Sequence, residues 1–365
     1  MGSDRPAITL IIGCTGCGKG AVGRALAERI GAEIISMDSM KIYRMMDIGT
    51  AKPSPAARRA VPHHLVDILD PWDDYSVAEF VTDADRAIAE IASRGKPVLC
   101  VGGTALYVKA LSEGLFEGPS ANPEIRQRLS DEAEAVGNQV LHDRLKGIDP
   151  EAADRIHVND LRRIVRALEV FEITGQPITS LQTQWDQQRT IYDCTFIGLT
   201  RDKDEQSRRI NARVHKMMDL GLLDEVRNLL ELDQPLSATA RKAVGYAELI
   251  EYFEEKVSLE QAVEKIKINS RQLAKGQHCS SMRHRDVRWF PELDDASTVR
   301  ESRRHHLLYR DGRTDRDDQL GGGPHRGSQT LPWRRRCAAW REYPGWPGRN
   351  LRPARSQRCG QNHPR

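Results

Sequence analysis

The residues with the most chemistry in this chain are Gly13 to Gly20, which read G-C-T-G-C-G-K-G. They fit G-x-x-x-x-G-K-[ST] at every fixed position but the last. Glycines let the backbone wrap closely around phosphate oxygens. The amides point inward, and the N-terminus of a following helix adds a favourable dipole. Gly13, Cys14, Thr15, Gly16, Cys17, Gly18, Lys19 and Gly20 are therefore expected to grip a di- or triphosphate, with Lys19 as a mobile positive charge. Gly20 departs from the pattern, because a Ser or Thr hydroxyl at this position normally binds Mg²⁺ and glycine has none. Cys14 and Cys17 have C-x-x-C spacing inside the glycine loop. With no second Cys or His pair at zinc spacing, they read as small loop residues rather than a metal or redox pair.

Two further segments belong to the same chemistry. Asp38 follows an apolar run in Ser36-Met37-Asp38-Ser39-Met40, where a carboxylate serves as a general base, a magnesium ligand or a helix N-cap. Val101-Gly102-Gly103-Thr104 ends another run, with glycines that allow close backbone approach and a hydroxyl on Thr104. Arg162, Arg163 and Arg166 share one face of a predicted helix, which is either solvated or turned to nucleic acid. His63 and His64 follow Pro62 in a predicted loop and read as structural.

These groups need a scaffold that brings them to one edge. Strands are predicted at Ala7 to Ile12, Glu33 to Met37, Lys96 to Val101 and Cys194 to Leu199. Helices are predicted at Lys19 to Ile30 and Ser76 to Ser93, and this strand–helix repetition implies a parallel α/β sheet with right-handed crossovers. From about Ala121 to Gln188 the pattern is helical and polar, clearest at Asp160 to Thr174, where Gly175 stops the helix. Further helices are expected at Gln206 to Asp219, Leu222 to Leu232, Tyr246 to Glu254 and Ser258 to Leu273. The organisation is an α/β core, residues 1–120 plus 190–292, interrupted by a helical insertion at 121–189. Beyond about Asp295 an Arg-, Gly-, Pro- and His-rich stretch without period reads as a disordered tail or translated frameshift rather than an RNA-binding arm.

Composition narrows the class. The chain has 365 residues, 39% hydrophobic and 29% charged, with 55 Lys+Arg against 52 Asp+Glu for a net charge of +3. That balance fits a soluble globular protein and does not by itself announce a nucleic-acid binder. Seven scattered cysteines do not form a secreted disulfide framework. The polar start and short first apolar run show neither a signal peptide nor a membrane span. The expected location is the cytoplasm, and the expected state is a monomer.

Taken together, G-C-T-G-C-G-K-G, S-M-D-S-M-K-I-Y, M-D-I-G-T-A-K-P, P-H-H-L-V-D-I-L-D-P, V-G-G-T-A-L-Y, D-L-R-R-I-V-R-A-L-E-V, A-V-G-Y and S-R-Q-L-A-K-G-Q run in order from about residue 8 to 290. The chain thereby closely resembles the tRNA dimethylallyltransferase (isopentenyltransferase) family. The resemblance implies a P-loop NTPase-like core with an all-helical insertion. It also implies transfer of a dimethylallyl group from dimethylallyl diphosphate to N6 of adenine 37 in tRNAs reading codons that begin with U, with Mg²⁺ as cofactor. It gives Asp38 the role of base, sets Thr104 near the reacting centre and puts Lys19 on the diphosphate. It assigns contacts with the tRNA anticodon stem-loop to Asp38, Ser39, Met40, Lys41, Thr104, Arg126, Arg162, Arg163, Ile164, Val165, Arg166, Arg241 and Lys242. Departures from the family pattern are Gly20, Cys14 for a usual Pro, Lys242 for a usual Arg, and His278-Cys279-Ser280-Ser281, which is expected to weaken a helix end. The competing readings are a small-molecule or nucleoside kinase and an inactive tRNA-binding homologue.

Overall fold

A computed structural model describes residues 5–115, 118–182, 191–284 and 286–291. The chain opens with β1 (Ala7–Gly13), α1 (Lys19–Ile30), β2 (Glu33–Met37), α2 (Pro55–Ala60) and β3 (His63–His64). It continues with α3 (Val77–Ser93), β4 (Val98–Gly102) and α4 (Ala105–Glu113). The insertion then supplies α5 (Pro123–Val136), α6 (Asn138–Ile148), α7 (Pro150–Arg155), α8 (Leu161–Thr174) and α9 (Ile178–Leu181). The core resumes at β5 (Asp193–Thr200), followed by α10 (Lys203–Asp219), α11 (Leu222–Leu230) and α12 (Ala238–Arg241). It ends with α13 (Tyr246–Phe253), α14 (Leu259–Ser281) and β6 (Arg288–Pro291). The C-terminal stretch from 295 lies outside the described residues.

All strand pairings are parallel, in the order β3-β2-β4-β1-β5-β6. Strands buried on both faces must be apolar on both, and β1 obeys this. Ile8, Leu10 and Ile12 pack with Phe80, Ala84 and Ile88 of α3 on one face. Ile11 packs with Val22 and Ala27 of α1 on the other. Helix α3 starts where Ser76 and Glu79 form a reciprocal capping box. A third core joins Ile42, Tyr43 and Met46, just past β2, to α10–α14 through Val214, Leu222, Ala240, Tyr246 and Ile266. The insertion has a core of its own, built from Leu129, Leu141, Leu145, Ile164, Leu168 and their neighbours.

Two local expectations are corrected. His63 and His64 are not in a loop but pair as β3 with Ile34 and Ile35 of β2. Helix α14 does not stop at Leu273. It runs to Ser281, because Ala274 and Ser281 are buried against the core and packing outweighs the polar local sequence.

The root of β2 is held by a buried carboxylate. Glu33 receives His64 Nε2 at 2.7 Å, Arg94 Nη2 at 2.8 Å and Lys96 Nζ at 2.9 Å. Burial alone would raise its pKa. The bonds from His64, Lys96 and Arg94 outweigh burial and hold it at about 2 rather than 4.5. A depressed carboxylate stabilises the fold above its unfolded pKa, and that contribution disappears as pH falls from about 5 towards 2. Allowing for screening of the half-exposed Arg94 and Lys96, it is worth roughly 2 kcal/mol. Glu33→Gln should therefore lower the urea midpoint at pH 7 and flatten its decline between pH 5 and 3. Parallel stability–pH curves for the two proteins would contradict this.

Candidate active site

The strand register sets the site. Ile11 of β1 pairs with Val101, Met37 of β2 with Gly102, and Gly13 with Leu199 of β5. The carboxyl ends of β1, β2 and β4 are therefore level, and the loops after them open at one edge, where ligands of such sheets bind. The glycine loop, Asp38 to Lys41 and Thr104 all leave from that edge.

Within the loop, Gly16 and Gly18 have φ of +85° and +96°, conformations that favour glycine. Gly18 precedes α1 with no side-chain cap, so no side chain competes for the first-turn amides. Lys19 Nζ donates to the Cys14 carbonyl at 3.1 Å. The rest of the loop is braced from the C-terminal half of the chain. Gln206 Nε2 lies 2.7 Å from the Thr15 carbonyl and 2.8 Å from Cys14 Sγ. Arg213 Nη1 donates to Thr15 Oγ1 at 3.1 Å, and Thr15 N donates to Gln277 Oε1 at 2.7 Å. Gly103 admits this arrangement, since a Cβ there would come within 3.0 Å of both Gln277 Nε2 and the Gly13 carbonyl.

Gln206, Arg213 and Gln277 were missed by sequence reasoning. Gln277 ends the S-R-Q-L-A-K-G-Q motif, and Gln206 and Arg213 are spaced i, i+7 on one face of α10. Those were the available signals.

Asp38 is not a helix N-cap, since β2 leads into a loop and the next helix starts at Pro55. Its Oδ1 accepts from Met40 N at 3.0 Å, a local Asx-type turn, and Oδ2 lies 4.0 Å from Lys41 Nζ. Thr104 precedes α4 but does not cap it. Instead its Oγ1 accepts from Ser39 N at 3.2 Å, while Thr104 N donates to the Met37 carbonyl at 3.2 Å. Asp38 thus sits in a turn fastened on both sides by Thr104.

The crevice carries surplus positive charge. Burial pushes the Lys41 ammonium down, opposed by Asp38, while Lys19, Arg213 and Arg24 push it down further. Four mutually repelling cations at the end of a glycine loop suit a polyanion such as diphosphate.

Beyond Lys41, the M-D-I-G-T-A-K-P segment is scaffold. Glu225 accepts from the backbone amides of Asp47, Ile48 and Gly49 and from Tyr246 Oη. Lys52 is buried between Asp47, Asp67 and the Tyr43 carbonyl. Met45, Ala51, Leu65 and Asp67 all have positive φ, a concentration of backbone strain beside the crevice.

The remaining expected contacts lie on other elements. Arg126 forms a two-pronged pair with Glu169 at 2.9 and 3.0 Å, and Arg166 reaches the same carboxylate at 2.7 Å and the Pro119 carbonyl at 2.8 Å. The Glu169 side chain is fully buried. Arg162 and Arg163 are exposed on the same helix. Ile164 and Val165 are a correction: both are buried in the insertion core, so their side chains pack the helix and are not presented to a partner. Arg241 is exposed and pairs with Glu254 at 2.5 Å, and Lys242 is exposed beside it.

Mg²⁺ finds little to hold it. Gly20 has no side-chain oxygen to offer, and among the described residues no three His, Cys, Asp or Glu side chains cluster as a metal site. There is room at Gly20, however, where an added Cβ would meet only Arg24 Nη1 at 3.7 Å. Among the described residues no helix is long and apolar enough to cross a membrane.

The arrangement has known counterparts. Residues 41–280 match the family model described as IPP transferase, and residues 6–64 match one described as isopentenyl transferase. The chain is 43% identical over 298 residues to a tRNA dimethylallyltransferase 2 of Geotalea uraniireducens, covering 82% of this chain and 96% of that one. It is 46% identical over 297 residues to a tRNA dimethylallyltransferase of Symbiobacterium thermophilum, covering 80% and 92%. Among solved structures, the tRNA isopentenylpyrophosphate transferase of Bacillus halodurans aligns with a TM-score of 0.61 at 38% identity, over 83% of this chain and 96% of that one. A eukaryotic dimethylallyltransferase acting on tRNA aligns with a TM-score of 0.69 at 26% identity, over 83% and 78%.

The brace on the loop yields a prediction that needs no turnover. Gln206→Leu leaves the Thr15 carbonyl without its partner and loosens the loop. Inorganic diphosphate should then bind about tenfold more weakly, a loss of about 1.4 kcal/mol, in calorimetric titration. Unchanged affinity would show that the brace is irrelevant to anion binding.

Proposed function

The chain belongs to the IPP transferase family, and from that membership and its crevice we propose that it transfers a dimethylallyl group from dimethylallyl diphosphate to N6 of an adenine in tRNA. The observation that carries the reading is the turn of Asp38, tied to Thr104 and opening beside a cation-rich glycine loop. A carboxylate acceptor and a diphosphate cradle at one sheet edge are what this reaction needs.

The N6 amine is a poor nucleophile because its lone pair is delocalised into the purine ring. As the bond from N6 to the allylic carbon forms and the carbon–oxygen bond to diphosphate breaks, the N6 proton passes to the Asp38 carboxylate. Lys19, Lys41, Arg213 and the loop amides take up the charge of the leaving diphosphate. Thr104 keeps its hydroxyl proton free to donate, because its oxygen accepts from Ser39 N. Ser39 and Met40 line the approach to Asp38. A base inside a stack cannot reach such a crevice, so the target adenine, number 37 by the family resemblance, enters flipped out.

The insertion, residues 121–189, clamps the anticodon stem-loop through phosphate contacts from Arg162, Arg163 and the outer edges of Arg126 and Arg166, with Arg241 and Lys242 adding to the basic surface. The enzyme works as a cytoplasmic monomer. The usual P-loop hydroxyl ligand for Mg²⁺ is missing at Gly20, which leaves the cations named above a larger share in neutralising the diphosphate.

Incubation with labelled dimethylallyl diphosphate and unmodified tRNA tests the reading. Labelled adenosine in the tRNA is the expected product, and label passing to no nucleoside would overturn it. A kinase would instead consume ATP with a small acceptor and no tRNA. Asp38→Ala should lower turnover by about a hundredfold or more while tRNA binding in a gel-shift assay stays within about twofold. Retained turnover would remove Asp38 from the role of base. Gly20→Thr restores a hydroxyl and should lower the Mg²⁺ concentration for half-maximal turnover. An unchanged metal titration would show that this position does not touch the ion.

A further inference from the structure

The proposed reaction leaves Cys14 and Cys17 without a role, although both occupy the diphosphate loop. Both are buried, each 2% exposed. The backbone between them turns back on itself, with Cys17 N donating to the Cys14 carbonyl at 3.3 Å. Such a turn brings its end Cα atoms within about 7 Å, near the range a disulfide spans. Both side chains pack in one buried cluster with Ile11 and Val22. Gln206 Nε2 reaches Cys14 Sγ at 2.8 Å. Thr15 and Gly18, each next to one of the cysteines, are partly exposed at the mouth of the loop, so a molecule of peroxide size has only a short distance to travel.

The pair is chemically unequal. The hydrogen bond from Cys14, with Lys19 and Arg213 nearby, outweighs burial and holds the Cys17 thiol down at about 6. The same contact and burial push the Cys14 thiol up. Cys17 is therefore the readier nucleophile of the two, and Cys14, at the other end of the same turn, is the thiol placed to resolve it.

We propose that Cys14 and Cys17 form an oxidisable dithiol, and that a hydroperoxide converts it to a disulfide which disables the diphosphate cradle. The Cys17 thiolate attacks the peroxide O–O bond, giving a sulfenic acid and hydroxide, which takes up a proton as water. The Cys14 sulfur then displaces the sulfenic oxygen as a second water, its own proton leaving with it. Overall, two thiols and one hydrogen peroxide give one disulfide and two waters. Closing the bond draws the sulfurs to about 2.05 Å. It pulls together the two ends of Thr15-Gly16, and removes the Cys14 thiol that Gln206 contacts. Lys19 is held on the Cys14 carbonyl, so it is displaced with them. Bound diphosphate should protect the pair, because it covers the loop and offsets the cations that favour the thiolate.

This inference rests on the reading of the loop as a diphosphate site, and its test separates the two. The full-length protein is treated with hydrogen peroxide, then examined by non-reducing peptide mass spectrometry and by calorimetric titration with inorganic diphosphate. Expected are a Cys14–Cys17 link lighter by two hydrogens, at least tenfold weaker diphosphate binding, recovery with dithiothreitol, and slower linking when diphosphate is present. Cys17→Ser should show the same diphosphate affinity before and after peroxide, whatever that affinity is. Cys14→Ser should leave a sulfenic acid trappable by dimedone. Absence of the link, or equal loss of binding in Cys17→Ser, would overturn the proposal. Failure of the untreated protein to bind diphosphate would count against the cradle itself, while the link would still report on the dithiol.

Discussion

Everything in the crevice depends on the parallel register of β1, β2 and β4. A parallel sheet sends every strand in one direction, so every strand ends at the same edge. Pairing Ile11 with Val101 and Met37 with Gly102 makes those ends level to within a residue or two. A slip of one residue would turn Met37 and its neighbours to the opposite face and carry Asp38 away from the glycine loop. The apolar faces of β1 guard against such a slip, since Ile8, Leu10 and Ile12 must meet α3 while Ile11 meets α1. Core packing is thereby converted into the position of a carboxylate.

The second layer of control is polar. Thr104, Gln206, Arg213 and Gln277 each make a bond to backbone or side chain of a loop that carries the chemistry. Loops at sheet edges are the least ordered part of such folds, and bonds from α10 and α14 lower that freedom at no cost in net negative charge. The cationic surplus of Lys19, Arg24, Lys41 and Arg213 is left for the ligand. A carboxylate in place of Gln277 would still accept from Thr15 N, whereas one in place of Gln206 has no proton to give the Thr15 carbonyl, and either would cancel part of the cationic field. Clamps that are neutral, as Thr104, Gln206 and Gln277 are, or cationic, as Arg213 is, avoid this conflict.

Much of this was legible in the residues because its causes are local. The glycine loop, the bounds of β2, and the helices α1, α3 and α8 follow from periodicity and from turn and cap residues that lie next to one another. The bracing residues were not legible, because Gln206 and Arg213 look like ordinary polar positions on an amphipathic helix. Only the fold brings them nearly two hundred positions back along the chain to Thr15. His63 and His64 read as loop because two residues are too few to show a strand period, and only the edge of β2 gives them partners. The extension of α14 was hidden for the same reason: the burial of Ala274 and Ser281 is a tertiary fact.

The insertion shows how a charged face can be misread even when the helix is found. Ile164 and Val165 are buried in the insertion core, which leaves Arg162 and Arg163 as their exposed neighbours on α8. The arginines are not equivalent either. Arg126 and Arg166 converge on Glu169, a carboxylate fully removed from water, and the Asn122 amide joins them at 2.7 Å. Those three donors outweigh burial and hold the Glu169 pKa below its ordinary value. A buried ion pair of this kind adds little net stability, but it fixes direction. It ties α5, α8 and the Pro119 carbonyl, the start of the insertion, into one unit. Arg162 and Arg163 are exposed on α8 with no buried carboxylate to fix them, Arg163 meeting only the part-exposed Asp160 at 3.4 Å. In the RNA clamp proposed above, the fixed charges set its orientation and the exposed ones adapt to what it holds.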